Sequence, residues 1–357
     1  MKNKLTILVD GGFLMQSRAF AFEKGFKSTN TEAQKRRTAE EFKDTLSRTI
    51  VKLINMFPAD NVVLMSEGGS WRKKLPVPEQ LKDITYKGNR EKKSEVDWDY
   101  IYKAYSEFEK SFMAYGLTRS QNFMIEGDDW AWYWSRRLNA EGTSVIIWSS
   151  DCDLKQLVQV EGNAFTAWYN DRAGLVLPLQ CQMPDDPIEA MLNPSFDSQE
   201  LRAVVNKCLK VNYIHPDSIA LEKIFCGDAG DNIKSVIRYQ KNGRTYRFAE
   251  KDYKTLVEDL NIRNMADLVH NRERIAKYIA ELPKYSQYNF KVEDIIEMLN
   301  YNIKLVVLHE NIMPDTVIKS MVQTEYKVPD IKPLKLNNKL LLEQNKSIED
   351  TFYSIFD

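Results

Sequence analysis

The chain has 357 residues, of which 43% are hydrophobic and 28% charged, so it can bury the core of one large domain or two ordinary ones and is not a mainly disordered protein. We find no run of about 18 apolar residues and no secretory leader, so we expect neither a membrane protein nor a secreted one. The 50 basic and 51 acidic residues balance, so the total charge indicates no particular partner.

Short apolar runs separated by helical patterns fill the first half of the chain. They predict strands at residues 5–9, 62–65, 123–125 and 145–148, and helices at residues 38–55, 98–115 and 128–139. Parallel strands that are covered on both faces by helices give this alternation. The predicted fold class is therefore α/β, with a central, mostly parallel sheet flanked by helices.

The second half of the chain has a different composition. Prolines follow residue 177, and a mostly helical pattern extends from about residue 218 to residue 320. We therefore predict an α/β core at residues 1–180 that includes a basic region at about 71–118, a connector at 181–217, a helical region at 218–325, and a linker with a C-terminal tail at 326–357.

Cysteine and histidine are scarce. The four cysteines have no C-x-x-C spacing and there are only three histidines, which leaves little material for a zinc site, a disulfide framework or Ser-His chemistry. This usage suits a reducing cytoplasm, where we expect the protein to work. Any catalysis would then depend on carboxylates.

Acidic residues follow all four predicted strands: Asp10, then Glu67 after Ser66, then Glu126 with Asp128 and Asp129, and finally Asp151 with Asp153. Because the carboxyl ends of parallel strands lie along one edge of a sheet, we expect these side chains to meet there. Helix capping is the usual explanation for a single Asp after a strand. Capping alone is a poor explanation for four strands that are all followed by acids.

A later motif, GDAGDN at residues 227–232, carries two more acids. In the first turn of a helix, Asp228 and Asp231 would share a face and could contact the same ligand. A capping motif with an Asx turn is an equally good explanation on local grounds.

So many carboxylates at one edge would raise one another's pKa and oppose folding unless cations compensate them. Ligands that are all oxygen atoms indicate Mg²⁺ or Mn²⁺. Two such ions can clamp the attacking and the leaving oxygen of a phosphodiester, as in nucleases. We therefore expect a pocket that is free of protein cations and is neutralised by bound metal.

Basic residues are concentrated in two segments. Residues 72–93 contain eight basic and three acidic side chains, and residues 234–247 contain five basic and no acidic ones. One such segment alone would most simply be a solvated surface. Two of them in a neutral chain favour a footprint for a polyanion, and an acidic metal edge beside them indicates phosphoryl transfer on nucleic acid.

Five motifs occur in the order of the flap endonuclease (5′-nuclease) family, which the sequence resembles. They are VD at residues 9–10, SWR at 70–72 followed by YKGNR at 86–90, EGDD at 126–129, SSDCD at 149–153, and GDAGDN at 227–232. A weaker likeness continues through residues 303–318. The resemblance implies a PIN-like nuclease core with a helical arch at about 71–118, followed by a duplex-DNA-binding region at 218–325.

The resemblance also implies a set of metal ligands. They correspond to Asp10, Glu126, Asp128, Asp129, Asp151, Asp153, Asp228 and Asp231. At the end of the second strand the family has an Asp, where this chain has Ser66 or Glu67, and Glu67 is the expected substitute. The implied cofactor is Mg²⁺ or Mn²⁺, two or more ions, with Asp128 and Asp151 essential for catalysis.

Roles for basic residues follow from the same resemblance. In the family, a Lys and an Arg of the arch reach the scissile phosphate, which suggests Lys87 and Arg90 here, where fixed cations stabilise developing charge. A Gly-Ile-Gly-type hairpin that holds duplex DNA with a monovalent ion is replaced in this chain, so we do not expect a potassium site. The residues predicted to contact nucleic acid are Arg72, Lys73, Lys87, Arg90, Lys234, Arg238, Lys241, Arg244 and Arg247.

The implied activity is that of a Mg²⁺-dependent 5′ to 3′ exonuclease and flap endonuclease with RNase H activity, which leaves 5′-phosphates during phage-type DNA replication. Its partners would be branched or nicked duplex DNA and RNA–DNA hybrid, and we expect a monomer in the cytoplasm of the host cell. The tail carries an amphipathic pattern at Ile348, Phe352, Ile355 and Phe356. It would either pack on its own domain or dock on a sliding clamp or single-stranded-DNA-binding protein.

Two other functions stay open. A PIN-type ribonuclease also gathers acids on a parallel sheet, but the basic arch and the later GDAGDN motif disfavour it. A non-catalytic, structure-specific DNA-binding module is disfavoured by acids at nearly every position of the motifs. A Rossmann-type cofactor enzyme would need G-x-G-x-x-G after the first strand, and the sequence there does not supply it.

Overall fold

The computed structural model describes residues 4–82, 84–89, 95–114, 117–184, 186, 191 and 195–327. Arg90 and the tail at residues 347–357 lie outside the described residues. Within them, no helix is both long and apolar enough to cross a membrane.

A sheet of eight strands organises the first two thirds of the chain. The strands are β1 (Lys4–Asp10), β2 (Asn61–Met65), β3 (Thr118–Ser120), β4 (Thr143–Trp148), β5 (Gln159–Glu161), β6 (Ala164–Asn170), β7 (Gly174–Pro178) and β8 (Val211–Ile214). Their order is β3-β2-β1-β4-β6-β7-β8, with β5 paired to β6. Neighbours from β3 to β6 are parallel, as are β7 and β8, whereas β6 is antiparallel to β5 and β7. The predicted α/β class with a mostly parallel sheet is confirmed.

Helices surround the sheet and then form the later part of the chain. They are α1 (Gly11–Ala21), α2 (Glu32–Met56), α3 (Trp98–Ala114), α4 (Gly127–Ala140), α5 (Gln199–Val205), α6 (Asp217–Cys226), α7 (Glu250–Leu260), α8 (Met265–His270), α9 (Arg272–Glu281), α10 (Val292–Val306) and α11 (Asp315–Lys327). Short 3₁₀ turns lie at Trp71–Lys74, Glu79–Leu81, Cys152–Leu157, Leu179–Cys181 and Ser286–Tyr288. The sequence did not predict the hairpin of β9 (Arg238–Lys241) and β10 (Arg244–Arg247) that lies within the helical region.

The two faces of the sheet bury different side chains because residues alternate along a strand. In β1, Ile7 and Val9 belong to a core that α1, α2 and α3 cover, whereas Leu8 packs in a second core with Trp130 of α4. A separate core around Phe225 holds the later helices together. The sheet therefore presents one continuous edge, formed by the carboxyl ends of its parallel strands, between the helical layers.

The third strand lies earlier in the chain than predicted. Residues 118–120 pair with β2, whereas residues 123–125 lie in a loop with a turn. Ile125 is nevertheless fully buried, so its apolar character reflects core packing and not strand pairing. As a result, Glu126 is reached through a loop and is the N-cap residue of α4.

Candidate metal centre and nucleic-acid interface

Asp10 and Asp151 are connected through Ser149 at the ends of the neighbouring strands β1 and β4. The Ser149 hydroxyl donates to Asp10 Oδ2 (2.6 Å) and accepts from the backbone N–H of Asp151 (2.9 Å). Asp10 Oδ1 also accepts from Phe13 N (2.9 Å), and Asp151 Oδ1 accepts from Asp153 N (2.8 Å). These acids therefore cap the turns that follow the strands and also face one another, so capping and clustering are compatible.

Glu67, and not Ser66, faces the other acids at the end of β2. The Ser66 hydroxyl donates to the buried Glu109 Oε1 (2.9 Å). By contrast, a Cβ on Gly12 would lie 3.9 Å from Glu67 Oε1, and a Cβ on Gly127 would lie 3.2 Å from it. Glu67 therefore lies over the first residues of α1 and α4.

The pKa of Glu67 reflects this position. Part of the residue stays exposed to solvent, but the protein that surrounds its carboxyl group raises the pKa to about 7. The negative charges of Glu126 and Asp10 contribute to this rise. These interactions support Glu67 as the counterpart of the family's Asp.

Asp129 is part of a buried ion pair. Its Oδ2 accepts from Trp71 Nε1 and from the backbone N–H of Glu126, both at 3.1 Å, and its Oδ1 lies 2.9 Å from Arg72 Nη1. The same Arg72 nitrogen lies 2.7 Å from Glu126 Oε2. The Arg72 side chain is only 2% exposed, so it lies inside the protein instead of on a surface that could contact nucleic acid. Asp129 is the residue that fixes the start of α4 and the 3₁₀ turn of Arg72 relative to each other.

Lys87 lies among the acids. Its Nζ is 2.6 Å from Glu126 Oε1 and 4.0 Å from Asp231 Oδ2. Burial works against ionisation of Glu126, but the charges of Arg72 and Lys87 hold its pKa below the ordinary value. Burial likewise disfavours the charged form of Lys87, but Glu126 and the other groups around it, Tyr86, Asp128 and Asp231, together outweigh burial and raise the pKa of Lys87. This ammonium is therefore always charged at neutral pH.

Residues 85–89 and the GDAGDN motif are tied together by hydrogen bonds to backbone carbonyls. Lys87 N donates to Asp231 O (2.9 Å), Asn89 Nδ2 donates to Ala229 O (2.8 Å), and Asn232 Nδ2 donates to Thr85 O (2.9 Å). Lys87 has a φ of 56°, in the left-handed region, which these contacts help to hold. The two motifs are far apart in the sequence, and the structure brings them to one place.

Lys223 is a second cation among the acids, and sequence reasoning missed it. Its ammonium contacts both Asp153 Oδ1 and Asp228 Oδ2. Asp228 Oδ1 accepts from Gly230 N (2.7 Å), so the predicted Asx-type turn is also present. The signal that could have identified Lys223 is its position in the last turn of α6, the helix that precedes the GD motif.

The acids form two groups that differ in whether a lysine or arginine pairs with them. We call Asp10, Glu67, Asp128 and Asp151 the unpaired acids, because none of them forms an ion pair with a lysine or arginine in the described part of the chain. We call Glu126, Asp153, Asp228 and Asp231 the lysine-paired acids, because Lys87 or Lys223 contacts each of them.

The pKa values of three of these carboxyl groups are raised by burial and by neighbouring negative charge. Burial raises the pKa of Asp10, and the charge of Asp151 raises it further. Burial also raises the pKa of Asp128 well above its usual range, with Asp151 as the next cause. The pKa of Asp153 rises to about 6 through burial and Asp151, although Lys223 opposes the rise. Burial is the first cause of each of these three rises, and the charge of Asp151 adds to each of them.

The expectation of a pocket free of protein cations is wrong. Lys87 and Lys223 lie between carboxylates from different segments. Among the residues that the structure describes, no group of three or more His, Cys, Asp or Glu side chains forms a ready-made metal site. The unpaired acids still fit a divalent cation, because they offer only oxygen atoms and none of them forms an ion pair in the described part of the chain.

The hairpin of β9 and β10 carries the second basic segment on the surface. Its cross-strand partners include Arg238 opposite Arg247 and Lys241 opposite Arg244, and all four residues are exposed. None of the four forms an ion pair within the described part of the chain. At the base of the hairpin, Tyr239 packs against Tyr288 at 4.0 Å between ring centroids. The hairpin is thus held at its base by Tyr239 and exposes its positive charges to solvent.

Comparison with known proteins places this geometry in context. No protein-family model and no curated protein matches the chain. Among solved structures, the chain is similar to the 5′-exonuclease of bacteriophage T5 with divalent zinc bound, at 15% identity and a TM-score of 0.53 over 91% of this chain and 99% of that chain. It is also similar to a T5 protein co-crystallised with metal ions, at 17% identity and a TM-score of 0.51 over 92% and 99% of the two chains. The chain therefore has the PIN-like α/β fold of the 5′-nucleases.

Proposed function

We propose that the protein is a divalent-metal-dependent 5′-nuclease that hydrolyses phosphodiesters in branched or nicked duplex DNA and in RNA–DNA hybrids. The observation that supports this most strongly is the convergence of acids from five separate segments, some of them unpaired and the others in contact with Lys87 or Lys223. These segments are the ends of β1 and β2, the start of α4, the loop after β4 and the loop after α6. A similar structure, the T5 5′-exonuclease, has divalent metal bound.

We assign the proposed metal ligands by their contacts. The unpaired acids Asp10, Glu67, Asp128 and Asp151 would hold a first ion, and Asp153, Asp228 and Asp231 would contribute to a second. Two predicted ligands, Asp129 and Glu126, are left out because both oxygens of each already contact protein donors. Mg²⁺ or Mn²⁺ bound there would supply Lewis-acid activation of the phosphodiester and of water.

Lys87 supplies a fixed positive charge beside the acids. Its contact with Glu126 at 2.6 Å and its backbone contact with Asp231 hold the ammonium in one place. A cation that is positioned before the reaction stabilises the charge that develops on a phosphate oxygen without further reorganisation. We propose Arg90 as its partner, from a position outside the described residues.

The exposed hairpin is the proposed contact for duplex DNA. Arg238, Lys241, Arg244 and Arg247 provide cations without protein partners in the described part of the chain, and Lys234 lies just before them. Such cations bind the phosphate backbone with little regard to sequence. We therefore propose that the duplex part of the substrate lies along the hairpin while the scissile phosphate lies at the acids.

The proposed substrates include RNA primers as well as 5′ DNA flaps. The order of the sequence motifs resembles that of the RNase H of T-even bacteriophages, which removes RNA primers from lagging-strand fragments. By this resemblance we propose a role in phage-type DNA replication, with 5′ to 3′ exonuclease and flap endonuclease activity and 5′-phosphate products.

Cleavage of a 5′-labelled flap DNA and of an RNA–DNA hybrid, with and without Mg²⁺, tests the proposed function. We expect metal-dependent cleavage of both, and near-complete loss of cleavage in Asp128→Asn and Asp151→Asn with binding largely retained. The matched control is Asp44→Asn, which removes an exposed carboxylate of α2 that pairs with Arg48. Full turnover by Asp151→Asn in Mg²⁺ would contradict the assignment.

The same assay separates the two other functions. A PIN-type ribonuclease would cleave single-stranded RNA and leave the flap DNA intact. A non-catalytic DNA-binding module would bind the flap and cleave neither substrate at any metal concentration.

A further inference from the structure

Lys223 lies in the last turn of α6, directly before the GDAGDN motif. The helix ends at Gly227, whose N–H donates to the carbonyl of Lys223 (2.9 Å) and whose φ of 75° redirects the chain. Glycine is suited to this turn, because other residues rarely adopt a positive φ. The turn brings Asp228 beside the Lys223 side chain, which also contacts Asp153 from the loop after β4.

One ammonium is thus shared by two acids from separate segments. Without it, Asp153 and Asp228 would face each other as like charges and push the two segments apart. A single positive charge compensates only part of their combined charge. A divalent ion on the same oxygens would compensate all of it, but it needs the place that the ammonium occupies.

We propose that Lys223 is an internal counter-ion that holds Asp153 and Asp228 together in the absence of metal and competes with a divalent ion for them. It follows that the ion at the unpaired acids binds first and the ion at Asp153 and Asp228 binds second and more weakly. The inference rests on the proposed metal-dependent function and extends it to the order of metal binding.

The two lysines of the site differ in a way that supports this role for Lys223. The Lys87 side chain is 13% exposed, and its ammonium contacts Glu126. The Lys223 side chain is 24% exposed, and within the described residues its ammonium forms ion pairs only with Asp153 and Asp228. A flexible lysine stem of this kind can move its charge toward solvent when a metal ion takes the oxygens.

Direct metal binding tests the inference without any cleavage assay. Mn²⁺ is titrated into the full-length, metal-free protein without nucleic acid, and free Mn²⁺ is followed by electron paramagnetic resonance. We expect one tight and one weaker binding event in the wild type. In Lys223→Met, which keeps the length of the side chain and removes its charge, the weaker event should tighten by about tenfold or more, because the competing cation is gone.

Two variants control for other effects of the substitution. Lys223→Arg keeps the charge and should leave the second event weak. Lys155→Met removes a lysine from the 3₁₀ turn that also carries Asp153, where its Nζ lies 4.5 Å from the ring centroid of Trp168, and should leave both events unchanged. The melting temperature without metal should fall in Lys223→Met and should be raised by Mn²⁺ more than in the wild type.

The outcomes separate this inference from the proposed function. If wild type and Lys223→Met bind two ions with the same affinities, or if the variant binds the second ion more weakly, Lys223 is a structural or supporting residue and the inference is overturned while the nuclease proposal stands. If neither protein binds any divalent ion, both proposals are overturned.

Discussion

The two basic segments of this chain look alike in sequence and differ in the structure. In the segment at residues 72–93, the Arg72 side chain is 2% exposed and the Lys87 side chain 13% exposed, and both contact Glu126. In the segment at residues 234–247, four cations lie on a solvent-exposed hairpin and form no ion pair within the described part of the chain: Arg238, Lys241, Arg244 and Arg247.

The difference between the segments lies in what faces their charges. Cations that lie among buried carboxylates compensate charge inside the protein, and removing one leaves an acid without its partner. Cations that lie opposite each other on a two-stranded ribbon repel, and a polyanion relieves that repulsion. A count of basic residues along a sequence therefore does not distinguish internal charge compensation from a binding surface.

The largest effect is expected from Arg72→Met. The substitution leaves Glu126 without one of its cations and leaves Asp129 without any ion-pair partner in the described part of the chain, at a position with almost no solvent access. Breaking a buried ion pair from one side costs about 3–5 kcal/mol of the free energy of unfolding. Urea unfolding of the metal-free protein measures this loss.

Lys73→Met is the matched control for Arg72→Met. Lys73 is the next residue in the same 3₁₀ turn and is exposed, so its loss should change the free energy of unfolding by less than about 0.5 kcal/mol. Equal urea midpoints for the two variants would mean that Arg72 does not carry the compensating role described above.

The next largest effect is expected from Lys87→Ala, on the rate of cleavage. We expect the single-turnover rate on flap DNA to fall by about 10²- to 10³-fold, the range for loss of one preorganised group that stabilises transition-state charge. Binding of the flap should change by less than about threefold, because the hairpin is unaltered. Lys82→Ala, which removes an exposed lysine paired with Glu79, should change neither quantity. A loss of binding as large as the loss of rate would make Lys87 a general phosphate contact.

Local sequence patterns predicted the parallel strands β1, β2 and β4 and the acids that follow them, but not the strands β5 to β8. The apolar runs of β1, β2 and β4 are each followed by an acid, and in a parallel sheet that alone brings Asp10, Glu67 and Asp151 to one edge. The run at residues 123–125 misled the prediction of β3, because a buried loop residue such as Ile125 has the same apolar character as a strand residue.

Side-chain partners across the fold were not predictable from these patterns. Whether Arg72 lies inside the protein or faces solvent depends on Glu126 and Asp129 of a distant helix, and nothing in the local sequence specifies that contact. Lys223 was missed because its partners lie in the loop after β4 and in the turn after its own helix. The hairpin was missed because each strand has four residues and a single aromatic one, Tyr239 or Tyr246, which is too little to show the alternation that marks a strand.

Removing charge from the hairpin should have a smaller effect, on binding alone. In the double variant Arg238→Gln with Arg247→Gln, two cross-strand partners lose their charge. We expect the affinity for duplex DNA to fall by roughly tenfold and the slope of log affinity against log salt to decrease by about 1.8, or about 0.9 for each phosphate that the hairpin no longer neutralises. The cleavage rate at saturating enzyme should stay the same.

A control for the hairpin variant is available on the next helix. Lys251 and Lys254 are exposed on α7, and Lys254 pairs with Glu250. Changing both to Gln removes the same charge from the protein and should leave the salt slope unaltered. Equal changes in slope for the two double variants would assign the effect to net charge and not to the hairpin.

The smallest effect is expected on the pKa of Lys234, which is only partly exposed. Its Nζ donates to Asn232 Oδ1 (2.5 Å), and burial lowers its pKa, with the charge of Arg238 lowering it further. Arg238→Gln removes this repulsion, so the pKa of Lys234 should move upward, as it should when duplex DNA brings phosphates to the hairpin, because negative charge favours the protonated lysine. Side-chain nitrogen NMR across a pH titration measures the shift, and Lys73→Gln should leave it unchanged. If bound duplex leaves the pKa of Lys234 where it was, the phosphates do not lie at the hairpin, and the segment at residues 234–247 is a solvated surface after all.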